Sequence, residues 1–176
     1  MTPGGATVVA GLVIPSTSPW FLGAVAAHVG AGLTAVLAGA VATLSAKGRG
    51  RHSAFGTLYY GSLSVVFVTA AALSAVRWVE DYPLLVLAAA AFAAASFGRM
   101  AMRRRWFGTA RAHLTGMGVS YIVLLTAFYV DNGPNLPVWK NLPPIAYWLA
   151  PATVGLPIMI YALLRHPLAR RVKPLP

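Results

Sequence analysis

Five stretches of this chain are each long and apolar enough to cross a lipid bilayer, and no other feature limits its fold so sharply. A hydrocarbon layer ~30 Å thick is spanned by roughly 20 apolar residues in a helix. The stretches run at about 20–46, 53–78, 82–102, 112–130 and 144–164. The expected fold class is therefore all-α: a polytopic membrane protein, a bundle of five transmembrane helices forming one domain over residues 1–176. Charged residues make up only 10% of the chain, against about a quarter in soluble domains. Arg99 falls inside the final turn of the third span, where its long stem can carry the guanidinium to the interface.

Positive charge sets the expected orientation. Short loops facing the cytoplasm collect Lys and Arg. Lys47, Arg49 and Arg51 join spans one and two, while Arg99, Arg103, Arg104, Arg105 and Arg111 join spans three and four. Arg165, Arg170, Arg171 and Lys173 follow span five. The other side receives only Arg77 and Lys140, together with all three acids, Glu80, Asp81 and Asp131. An odd number of crossings then places the N-terminus outside and the C-terminus in the cytoplasm. The expected location is the bacterial cytoplasmic (inner) membrane, with residues 1–19 as an outer lead-in and 165–176 as a basic cytoplasmic tail. The apolar run Ala6–Ile14 has no preceding Lys or Arg and lacks the positive region of a secretory signal.

Aromatic side chains agree with this sidedness. Trp20, Trp78, Tyr82, Tyr129, Trp139, Tyr147 and Trp148 mark the outer boundary and Trp106 the inner one, the headgroup positions that amphipathic rings favour. Pro134, Pro137 and Pro143 predict an irregular outer loop over 131–143, and Pro151 and Pro157 predict kinks in span five.

The net charge of +11 raises the question of nucleic acid. The cations punctuate apolar runs and form no groove interleaved with stacking aromatics, which argues against RNA or DNA as a partner. They suit anionic lipid headgroups instead. The absence of cysteine rules out disulfides, thiolate metal ligands and covalent c-type haem. HExxH, Walker and GxSxG motifs are missing, and no acid lies within a span to serve a catalytic triad or proton relay.

Four histidines remain as candidates for chemistry. His28 lies eight residues into span one, ~12 Å below the outer boundary. An imidazole at that depth either bonds a neighbouring helix, ligates a cofactor or metal, or handles protons. A stripe of small residues on its face (Ala24, Gly32, Ala35, Gly39) suits helix packing and would also leave room for a flat cofactor. His52 opens span two with Phe55, Gly56 and Tyr59 on its face; His113 opens span four with Met117, Ser120 and Tyr121. Two imidazoles at similar depth on different helices could clamp a haem b iron, with Arg49, Arg51 or Arg111 reaching the propionates. Both could equally be interfacial caps or headgroup contacts. His166 reads as a solvated end, although His52, His113 and His166 together could form a three-imidazole zinc site.

Three motifs in order carry a family resemblance. They are His28 with Gly32 and Gly39, His52 with Gly56 and Tyr59, and His113 with Met117, Ser120 and Tyr121. Over His28–Tyr129 the chain resembles the bacterial predicted-membrane-protein family known as domain of unknown function twenty-three-oh-six. The chain has Ser53 and Val119 where that family tends to have arginine, and small residues near Ala42 where it has glutamine. The resemblance implies positions and carries no activity. The function expected from the sequence is that of an accessory or assembly subunit rather than an enzyme, packing against other membrane proteins or a second copy of itself. A haem b redox protein is the first alternative and a small transporter or channel the second.

Overall fold

Long apolar runs without internal breaks carry the backbone through five helices in a computed structural model, which describes residues 7–9, 12–14, 18–105 and 108–165. The helices are α1 (Pro19–Leu44), α2 (Arg51–Ser74), α3 (Trp78–Arg104), α4 (Thr109–Asn132) and α5 (Pro144–Arg165). All five are long and apolar enough to cross a membrane. Ahead of them, strands β1 (Thr7–Val9) and β2 (Leu12–Ile14) pair antiparallel, Val8 opposite Val13. The outer lead-in expected there thus contains a short hairpin. Of the tail and the inner aromatic marker, His166, Arg170, Arg171, Lys173 and Trp106 lie outside the described residues.

The observed helices match the expected spans closely except at two ends. The second span stops at Ser74 instead of Trp78, and the third begins at Trp78, four residues early. A polar first turn explains the early start. Glu80 and Asp81 occupy it, where carboxylates favour the positive end of the helix dipole, while Arg103 and Arg104 fill the last turn, where cations are favoured. Pro83 sits within this helix and costs it a donor near its start only. Pro151 and Pro157 lie inside α5, which remains one continuous helix. The loop over 131–143, expected to be irregular, contains two 3-10 turns, Gly133–Asn135 and Trp139–Asn141.

By contacts the chain divides into two compact units, Met1–Leu85 and Val86–Pro176. In the first, α1 and α2 form an antiparallel pair. His28 near the start of α1 meets Thr69 near the end of α2, and Ala42 near the end of α1 meets His52 at the start of α2. Ala35, Ala38, Gly39 and Ala42 are the buried residues of the second half of α1. On α2 the buried positions are Tyr59, Ser62, Leu63, Val66, Ala70 and Ser74, the spacing of one helical face. Ser74 Oγ donates to the Asp81 carbonyl at 3.4 Å, tying α2 to the first turn of α3.

In the second unit, glycine sets the approach of the helices. A Cβ on Gly116 of α4 would lie 2.7 Å from the Ala94 carbonyl oxygen and 2.8 Å from the Gly98 Cα of α3. The two backbones are in direct contact, as small residues permit in lipid-embedded helices. Against α5, Gly118 receives Met159 and Gly155 receives Ile122. Gly133 receives the ring of Tyr147, whose hydroxyl donates to the Trp139 carbonyl at 3.1 Å. The Tyr129 and Trp139 rings pack 4.1 Å apart, so aromatic contacts hold the 3-10 turns onto the ends of α4 and α5.

Candidate functional site: histidines at helix contacts

An imidazole in a water-poor setting needs a partner for its N–H, and three of the four histidines find one on a neighbouring helix. His28 Nδ1 lies 2.8 Å from Thr69 Oγ1. The same Thr69 hydroxyl lies 2.7 Å from the Val65 carbonyl and 3.1 Å from that of Val66, so the His28 bond ties the imidazole to the main chain of α2. His52 Nδ1 is 2.8 Å from the Ala42 carbonyl and His113 Nδ1 is 3.1 Å from the Gly98 carbonyl. A carbonyl only accepts, so these rings are protonated on Nδ1. In the neutral form Nε2 then holds the lone pair in His52 and His113. Ligating histidines have the same arrangement, with one nitrogen oriented by a main-chain carbonyl and the other holding the basic pair.

His52 belongs to a larger capping cluster. The last four carbonyls of a helix have no partner within it, and burying them near hydrocarbon unpaired is costly. At the end of α1, Ser45 donates to the Val41 carbonyl from its backbone at 3.0 Å and from its hydroxyl at 2.6 Å. Lys47 Nζ donates to the Thr43 carbonyl at 2.6 Å and the Ala42 carbonyl at 3.4 Å. Together with His52 these residues cover Val41, Ala42 and Thr43. Burial lowers the pKa of the Lys47 amine from its ordinary value, because an ammonium against protein is less hydrated than one in bulk water.

The other expected site residues separate by burial. Tyr59 is buried and Tyr121 half-buried, whereas Arg49, Arg51 and Arg111 are exposed. His52 belongs to the first unit and His113 to the second, and each holds its Nδ1 proton on a carbonyl of its own unit. Among the described residues, no group of three His, Cys, Asp or Glu side chains gathers to hold a metal ion. The third imidazole of the expected zinc set, His166, lies outside them.

Gly32 and Gly56, which the sequence places beside His28 and His52, have nothing within 4 Å of a Cβ built on them. The same holds for Gly23, Gly30 and Gly61. The helical glycines of the first unit described in this way are thus open, and those of the second are filled. Sequence reasoning missed Thr69, Gly98 and Gly116. A glycine within each of two consecutive apolar spans was the available signal for the last two. Comparison with family models, curated proteins and solved structures returned no match.

Proposed function

We propose that this chain is a multi-pass protein of the bacterial cytoplasmic membrane, N-terminus out and C-terminus in, that serves as an accessory or assembly subunit packing against other membrane proteins. The open glycines of α1 and α2 carry this reading. Gly23 and Gly30 lie seven residues apart on one face of α1, both exposed, and no described atom approaches a Cβ at either position. Small residues let a second helix come close in lipid, where van der Waals packing drives association. The internal histidine bonds add support, since each joins two helices of this chain. The membership suggested by the motifs from His28 to Tyr129 belongs to the same proposal.

The experiment is purification in mild detergent of the wild type and of G23L/G30L. Because nothing meets those positions, the variant should fold as the wild type does and lose its co-purifying membrane partner. A wild type that behaves as a partner-free monomer would remove the reading.

A second reading is favoured by one observation, the Nδ1–carbonyl bonds that leave Nε2 of His52 and His113 as the basic nitrogens. In it each of these imidazoles is a candidate ligand for a haem b iron by itself, and the protein is redox-active. A Soret band after haem is supplied, lost in H113A, is the expected result. A colourless protein, or a band indifferent to H113A, would end it.

A further inference from the structure

We propose that the arginine-rich end of the second unit binds the phosphate headgroups of acidic phospholipids. The inference rests on the membrane reading above. Helix α3 ends, and α4 begins, at one end of this unit, and α5 runs back antiparallel to α4 so that its last turn reaches the same end. Arg103, Arg104, Arg105, Arg111 and Arg165 therefore collect there, all exposed.

Among the described residues of the unit, no acidic side chain lies at this end. The unit's one acid is Asp131, twenty residues beyond Arg111 along α4, which is ~30 Å at 1.5 Å per residue. Charges that far apart are screened beyond a Debye length of about 8 Å at physiological ionic strength. Their exposed guanidinium groups are open to an external anion. These five described cations are all arginine. The planar guanidinium presents paired donors that match phosphate oxygens, where an ammonium acts as a point charge.

The surroundings identify that anion as a lipid. The Arg165 guanidinium lies over the Tyr161 ring, 5.0 Å from its centroid. Tyr161 is 59% exposed and Leu164 66%, so this guanidinium rises from an apolar outer surface. Met102, beside Arg103, is 49% exposed. Cations directly above exposed apolar side chains occupy the level of a headgroup, their stems lying along the greasy flank.

The test follows thermal unfolding of the full chain in neutral detergent, titrated with short-chain phosphatidylglycerol, short-chain phosphatidylcholine or inorganic phosphate. Phosphatidylglycerol should raise the midpoint saturably and the other two should not. R103Q/R104Q/R105Q should weaken the phosphatidylglycerol response roughly tenfold or more, given the strength of cation attraction near an anionic lipid surface. The triple Lys variant should recover only part of it. If the triple Gln variant fails to fold, R111Q/R165Q reads the same loss. Equal shifts from both lipids, a full effect of inorganic phosphate, or an unaltered response in the Gln variants would overturn the proposal. Detergent has no sidedness and the assay uses no partner, so failure here is distinct from failure of the orientation or of the subunit reading.

Discussion

Gly116 and Gly32 are both helical glycines, yet their neighbours set opposite expectations for the same substitution. Alanine in place of glycine favours a helix by roughly 1 kcal/mol. At Gly116 the added methyl meets main-chain atoms of Ala94 and Gly98, which cannot swing aside as a side chain can, and overpacking of this kind costs about 1–3 kcal/mol. Gly116→Ala should therefore destabilise the protein, by up to about 2 kcal/mol once propensity is offset. Gly32→Ala, with nothing in its way, should be neutral or mildly stabilising. Denaturant unfolding in micelles distinguishes them, and equal responses would contradict the close crossing of α3 and α4. The histidines show why such detail escapes a sequence. His52 and His113 bond the carbonyls of Ala42 and Gly98, atoms present on every residue, so no pattern of side chains could point to them. His28 was legible as a buried polar group, but Thr69 is one hydroxyl among several on its helix.

The end of α1 shows how an element is closed where apolar sequence gives way to a loop. Three side chains cover its last carbonyls; all three lie beyond Leu44, and the turn through Gly48 and Gly50 brings His52 back to them. Both glycines hold positive φ, 132° and 111°, a conformation that other residues rarely adopt. Lys47→Met with His52→Ala should fray this end, each lost hydrogen bond costing about 0.5–1.5 kcal/mol. Hydrogen exchange should then rise at the amides of 41–45 and stay unchanged around Ala35; an unchanged last turn would sink the capping role. The helical spans themselves were legible from apolar length alone. The start of α3 was not, because its first turn contains Glu80 and Asp81, which stabilise a helix terminus while interrupting the apolar signal used to find it.

Across the whole molecule, charge divides each unit into unlike ends. In the first, Lys47, Arg49 and Arg51 lie at the α1–α2 turn and both acids lie beyond the far end of α2. In the second, the arginines and Asp131 fall at opposite ends of α4. The cysteine-free chain makes sidedness directly measurable. Single cysteines at Ala46 and Asn135, both exposed, should label from opposite faces of sealed cells, with the position-135 thiol reached from outside. Labelling of both from one face would refute the alternating topology.

The three histidine bonds also differ in time. A ribosome emits the chain from its N-terminus, so His52 and His113 find their acceptors, Ala42 and Gly98, already made. His28 must wait for Thr69, 41 residues behind it. At roughly 5–20 residues per second that interval is about 2–8 s. During it the imidazole of the first helix lacks its Thr69 bond, and the second helix, on arrival, brings the oxygen that lets the pair settle together in lipid.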